Sequence, residues 1–281
     1  KIQMNEGVCP AYSDCRMGLS PDKFILSYCD RALGITSAEE QPVLPKGNNL
    51  SLHLLELFTS RVAKVGMTDG IRQVLQEESD ALRAYYEQAG ILIARPAGGT
   101  SCRPAISAKG GTNAENHNHN DVGSYAVALG SETMVGDQGG PNSYPGDYFN
   151  GDAPQKYKIK GSFGHPVPVV DGRTQSSGGK AKGVVLQKEF TNEKDVFSIN
   201  YTSAYSTPNL DKLIRTFVYD RQGKGSFTVG DEFTAKTPIR FETAITTRAD
   251  WKILDDTHLL LATDSEQMIV AIEASGKVAF T

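Results

Sequence analysis

The four cysteines of this chain include no CxxC pair, which excludes the familiar cysteine-based zinc knuckles. Cys9 and Cys15 stand close enough to pair in an oxidising compartment. Unbridged thiols at Cys9, Cys15, Cys29 and Cys102 fit the sequence equally well. No apolar run approaches the length of a membrane span, so nothing points to a membrane partner. Net charge is only -4, so no global field argues for nucleic acid. There is no internal repeat, no long low-complexity tract, no signal-peptide pattern and no initiator methionine. The last residues, GKVAFT, read as a strand with no turn after it, so the chain is expected to be a piece of something longer.

What is present changes character near residue 82. Residues 1–81 read as helical. In SPDKFILSYCDRALG, Ser20 suits an N-cap, Pro21 the first helical position and Gly34 a stop. Leu50, Leu54, Leu55, Phe58 and Val62 form one helical stripe in a second segment, which also holds His53, read as a core histidine. TDGIRQVLQEESDAL is a third, weaker helix. From residue 82 to 281 the chain breaks into short β-branched and aromatic runs separated by Gly, Asn and Asp. Examples are GILIAR, SYAVALG, GVVLQKEF, LIRTFVYDR, GSFTVGDEF, IRFETAITT and QMIVAIEA. So many strands without helices between them imply a large antiparallel β-sandwich. TQSSGGKAKG reads as a flexible connection.

One run has no apolar residue at all: ENHNHND, Glu115 to Asp121. It holds two of the five histidines, His117 and His119. If it is extended, His117, His119 and Asp121 share one face and Asn116, Asn118 and Asn120 the other. Asp137 follows an apolar strand in MVGDQGG, and His165 precedes another in SFGHPVPVVDG. Two imidazoles and a carboxylate make a divalent-metal ligand set, and zinc suits nitrogen and oxygen donors best. The plain alternative is a solvated loop beside two unrelated residues. Glu115 and Asp121 fit a base, a ligand or a support for neighbouring imidazoles. Tyr144, Tyr148 and Tyr157 lie between the Asp137 and His165 elements, where packing competes with proton donation.

Residues 105–140 (AISAKGGTNAENHNHNDVGSYAVALGSETMVGDQGG) and KYKIKGSFGHPVPVVDGRTQ resemble the heparinase II/III-like family of polysaccharide lyases. The carrying motifs are Gly-Gly-x-Asn-x-Glu-x-His-Asn-His-Asn-Asp, Asp-x-Gly, Ser-x-x-His-x-x-Pro and Gly-x-x-Gln. A looser likeness extends through SAYSTPNLDKLIRTFVYDRQGKGSFTVGDEF, so the resemblance covers roughly residues 82–247. It implies that 82–281 belong to a β-sandwich and that 1–81 end an α/α toroid. It assigns zinc to His119, Asp137 and His165, and a catalytic role to His117, the cleft-facing histidine, and to the spacer tyrosines Tyr144 and Tyr148, with Asn116 and Glu115 expected to bind substrate. Two positions depart from the pattern: Pro166 follows His165 where Asn is common, and Lys156 precedes Tyr157 where Arg is common.

The implied reaction is β-elimination on an acidic, uronic-acid-containing polysaccharide, by a bacterial protein of the periplasm or the exterior. The main acid/base tyrosine and the group that neutralises the uronate would come from the toroid. A non-catalytic carbohydrate-binding or structural metal-containing β-sandwich is the alternative. A cupin-like metal enzyme fits less well, because its glutamate should follow the histidine pair and Glu115 precedes it.

Overall fold

A computed structural model describes residues 4, 5, 8–15 and 81–280. The helices expected at 20–34, 48–66 and 68–82, with Cys29 and His53, lie outside those residues, apart from residues 81 and 82. The chain divides into two compact units, Ser20–Ala81 and a second that joins Ile2–Leu19 to Leu82–Thr281. Every described residue except Ala81 belongs to the second unit.

That unit is antiparallel β structure with one four-residue helix, α1 (Ala153–Lys156), among the described residues. The larger sheet runs β1 (Arg83–Tyr86), β2 (Ile91–Ala94), β3 (Pro104–Lys109), β5 (Tyr125–Leu129) and β6 (Glu132–Val135). The second runs β12 (Ser226–Ala235), β11 (Leu210–Asp220), β10 (Lys194–Asn200) and β9 (Val184–Phe190). Two small ladders brace the loops, pairing β4 (Thr112–Asn113) with β8 (Gly178–Lys182), and β7 (Pro168–Val170) with β13 (Phe241–Thr243). A three-stranded sheet of β14 (Asp250–Ile253), β15 (His258–Ala262) and β16 (Gln267–Ala271) completes the unit.

Alternation along each strand builds the sandwich. Leu92, Ile106, Ala108, Val127 and Leu129 face Phe197, Ile199, Leu213, Phe217 and Tyr219 in one apolar core. The residues between them turn to the opposite face. There Ile93, Ala105, Ala126 and Ala128 pack with Met4 and Val8 of the N-terminal segment. The Tyr12 hydroxyl pins that segment to Ser107 on β3 at 2.8 Å.

A guanidinium interrupts the apolar core. Arg215 sits between Leu213 and Phe217 on the inward face of β11, directly opposite Asp231 of β12. It grips that carboxylate through Nε at 2.8 Å and Nη2 at 2.6 Å. Its Nη1 donates to the carbonyls of Gly123 at 2.8 Å and Pro166 at 2.7 Å. Burial disfavours the Arg215 charge, but Asp231 more than reverses this and raises its pKa above the usual arginine value.

The structure departs from the sequence reading at three places. Residues 178–182 are strand β8 rather than a flexible connection, because β4 supplies a ladder partner. The run IRFETAITT contributes only Phe241–Thr243 as strand. The closing residues 277–280 are irregular, with no ladder partner among the described residues, although Phe280 packs on the core. Cys9 and Cys102 carry free thiols, so Cys9 is not bridged to Cys15. Among the described residues no helix is long and apolar enough to cross a membrane.

Arg215→Leu should destabilise the unit by roughly 3–5 kcal/mol, because it leaves Asp231 and two carbonyls without their partner. Urea unfolding measures this. A loss within the range of an exposed ion pair, under about 1 kcal/mol, would show that the guanidinium is replaceable.

Candidate functional site

The polar run is a loop between β4 and β5, not an extended strand. His117 has φ +56°, which turns the backbone and breaks the expected alternation. His117 and His119 therefore enter different surroundings. The His117 side chain is 62% exposed and the His119 side chain is fully buried.

The loop is held by amide chemistry. Asn113 accepts the Asp121 N–H at 3.2 Å and donates to the Gln175 side chain at 3.0 Å. Gln175 in turn clamps Val122, accepting its N–H at 3.1 Å and donating to its carbonyl at 2.7 Å. Ser162 donates to the Asn120 carbonyl and accepts the Gln175 N–H. Asn120 reaches the Gln175 carbonyl at 2.9 Å. The Asn, Ser and Gln positions of the motif thus fix the backbone on both sides of the histidines.

Three ligand-bearing side chains meet below this loop. Asp121, Asp137 and His165 are buried, and one ligand atom from each lies within 4.8 Å of the others. The loop supplies Asp121, the end of β6 supplies Asp137, and the turn before β7 supplies His165. Asp121 takes a hydrogen bond from buried Lys109 at 2.6 Å, and Asp137 takes one from Ser124 at 2.6 Å. The His119 ring packs beside that of His165, with centroids 5.2 Å apart.

Asp121 Oδ2, Asp137 Oδ2, both nitrogens of His165 and Nδ1 of His119 are buried without a hydrogen-bond partner. His165 Nδ1 lies 3.0 Å from Asp137 Oδ1, yet the contact lacks hydrogen-bond geometry. Buried polar atoms are normally satisfied, and one orphaned atom from each of Asp121, Asp137 and His165 gives a donor set that a cation could satisfy, with His119 Nδ1 orphaned beside it. This buried group can hold a metal.

Charge follows the same layout. Burial pushes the Asp121 pKa up, but Lys109 more than offsets this and holds it below the usual carboxylate value. Burial, then the neighbouring His165, hold the His119 pKa below that of a free imidazole. Burial opposes the His165 cation, and Asp137 outweighs it to raise the pKa.

The outer side is aromatic. Tyr144 is 42% exposed and packs on Tyr148 and Phe149. Phe149 meets the His117 ring edge-on at 5.3 Å. Tyr148, by contrast, is buried, and its hydroxyl donates to Asp14 at 3.0 Å. Burial, then Asp14, raise the Tyr148 pKa well above the ordinary phenol value. Glu115 is turned back on its own loop, accepting the Thr112 N–H at 3.2 Å with Lys109 at 3.6 Å. Asn116 is exposed.

Of the residues singled out in the sequence, the structure therefore brings Asp137 and His165 together and sets His119 beside them. Asp121 was one of several options in the sequence and is a full member of the group. Asp14, Lys109 and Gln175 were missed. Gln175 carried a signal, its place in the Gly-x-x-Gln motif. Asp14 carried none, because its partners are more than a hundred positions away.

The fold itself matches solved structures. A heparan sulfate lyase, HepC from Pedobacter heparinus, aligns over 98% of this chain and 38% of its own, at 14% identity and a TM-score of 0.64. A heparinase III aligns over 99% of this chain and 39% of its own, at 17% identity and a TM-score of 0.60. The chain has the fold of heparinase III-like lyases. It spans less than two-fifths of the length of either. No protein-family model and no curated protein sequence matches it. Among the described residues the chain is mainly β, as the resemblance implied.

Gln175→Leu should cost several kcal/mol, since each stranded buried partner costs about 1–3 kcal/mol. Thermal unfolding of the variant checks this, and an unchanged midpoint would remove Gln175 from the loop's support.

Proposed function

We propose that this chain is the β-sandwich part of a polysaccharide lyase that cleaves a uronic-acid-containing polysaccharide by β-elimination. The observation that carries the reading is an exposed histidine, His117, on the same loop as Asp121 of the buried ligand cluster, within the fold of heparinase III-like lyases. The end of the toroid, expected at residues 1–81, would be confined to residues 20–81, because Ile2–Leu19 join the β unit, and the protein would act in the bacterial periplasm or outside the cell.

In the reaction the proton on C5 of the uronate leaves, the C4–C5 double bond forms, and the C4–O bond breaks. The departing oxygen takes up a proton. His117 is exposed and hydrogen-bonded at Nδ1, which suits it to move a proton or to bind the charge developing on the uronate. Tyr144 and Phe149 are the exposed rings beside it and offer a surface for a sugar. Tyr148 is buried and serves from behind, through Asp14. Glu115 and Asn116 bound the loop at the cleft.

The metal is proposed to be zinc, held by His119, Asp137 and His165 with Asp121 as a fourth donor. Its contribution is structural, tying the loop to β6 and to the turn before β7. The donor set of imidazole nitrogen and carboxylate oxygen favours zinc over calcium or magnesium.

Metal analysis of the purified chain by mass spectrometry should find about one zinc, and His119→Ala should lower both metal content and melting temperature. Full metal occupancy in that variant would remove His119 from the ligand set. In the intact protein that carries this chain, His117→Ala should keep its metal and lose about 10²–10⁴-fold in formation of unsaturated uronate. The readout is ultraviolet absorbance over a panel of heparan-type and alginate-type substrates. Saccharide binding with no product from any of them, before mutation, would favour a non-catalytic binding sandwich.

A further inference from the structure

Among the described residues, Asp14 is the one side chain hydrogen-bonded to both histidines of the polar run. Its Oδ2 lies 2.8 Å from His117 Nδ1, and its Oδ1 lies 2.9 Å from His119 Nε2 and 3.0 Å from the Tyr148 hydroxyl. The carboxylate is 6% exposed. Burial pushes its pKa up, and hydrogen bonds from His117, His119 and Tyr148 outweigh that and lower it.

The placement is fixed from two sides, by the turn at Ser13 and by Gly140. Ser13 has φ +56° within the turn closed by the Cys15 N–H on the Tyr12 carbonyl, which swings the Asp14 side chain toward the loop. The Gly140 N–H donates to the Cys15 carbonyl at 3.0 Å. A Cβ on Gly140 would stand 2.4 Å from the Asp14 carbonyl oxygen, so no other residue fits there without moving the segment. Gly140 closes the run MVGDQGG, and neither the metal cluster nor the cleft uses it. Its requirement is close approach of the backbone that carries Asp14.

We infer that Asp14 is a positioning residue that fixes opposite tautomers in the two histidines. An ionised carboxylate only accepts hydrogen bonds, so the ring nitrogen facing it must carry the proton. His117 is thereby held as the Nδ1–H form, which leaves its Nε2 as the basic lone pair. His119 is held as the Nε2–H form, which leaves Nδ1 as the lone pair. That Nδ1 is the buried nitrogen without a partner, the atom that would reach a metal. One carboxylate thus directs one imidazole outward as a base and the other inward as a ligand, the role that supporting carboxylates play around metal-binding histidines. The inference deepens the lyase and zinc reading, but the tautomers themselves follow from Asp14 alone.

The test is a long-range proton–nitrogen correlation spectrum of the metal-free protein, labelled with ¹⁵N-histidine and recorded near pH 8.5, where imidazoles are ordinarily neutral. His117 should appear as the Nδ1–H tautomer and His119 as Nε2–H. The reverse form at either ring in the unmutated protein overturns the proposal without any variant. Asp14→Asn keeps the shape but offers only one accepting oxygen, so at least one ring should change tautomer. Tyr148→Phe removes a donor from the same carboxylate together with the hydroxyl 3.2 Å from His119 Nε2, and it should leave both tautomers as they were, because Asp14 still faces both rings. Unchanged tautomers in Asp14→Asn overturn the proposal. Zinc titration separates it from the reading beneath it. Asp14→Ala should weaken zinc binding by roughly 10–100-fold. Switched tautomers in Asp14→Asn, with zinc affinity undiminished in Asp14→Ala, would uphold the Asp14 role and overturn His119 as a ligand.

Discussion

The structure turns on the buried guanidinium of Arg215. Arg215 occupies an inward position where the strand pattern calls for an apolar side chain, and it spends its donors on three different parts of the chain. Two bonds hold Asp231 across the β11–β12 ladder. The other two hold the carbonyl of Gly123, two residues after Asp121, and that of Pro166, one residue after His165. Two arms of the ligand cluster are therefore referenced to the same rigid fork in the opposite sheet. A lysine has a point charge and a flexible stem, and could not serve all three partners at once. Tyr201 completes the arrangement by donating to Asp231 at 2.7 Å.

This also explains why one departure from the lyase pattern is harmless to the scaffold. Pro166 offers Arg215 only its carbonyl, which any residue would provide. Pro166 is buried, and it lacks the side-chain amide and the backbone N–H that Asn would bring.

The β unit was legible from residue 82 onward because β-branched and aromatic residues recur with turn residues between them. Where strands failed to announce themselves, the reason was composition. β3 is PAISAK, buried throughout, yet built from small residues that carry no strand signature. β8 is GGKAK, which forms a ladder only because β4 lies beside it. The closing GKVAFT has a strand's composition and no partner among the described residues. Pairing, not propensity, decided each case. In the site, Asp137 and His165 could be named from their motifs, because few residue types bind metals. The relation of His117 to His119 could not. It depends on a positive φ at His117 and on Asp14, neither of which leaves a trace in local sequence.

The docking of the N-terminal segment has a consequence for the order in which the molecule comes together. Asp14 is separated by 103 residues from His117, by 105 from His119 and by 134 from Tyr148. Contacts of such span require loop closure before they return anything, so they form late. Met4 and Val8 need the far face of a sheet whose strands β2, β3 and β5 are not yet synthesised when they emerge. During vectorial synthesis Asp14 must stay solvated until the strand that carries Ala126 and Ala128 is in place. The two histidines thus acquire their shared acceptor only as the sandwich closes, which makes the finished site a readout of completed assembly.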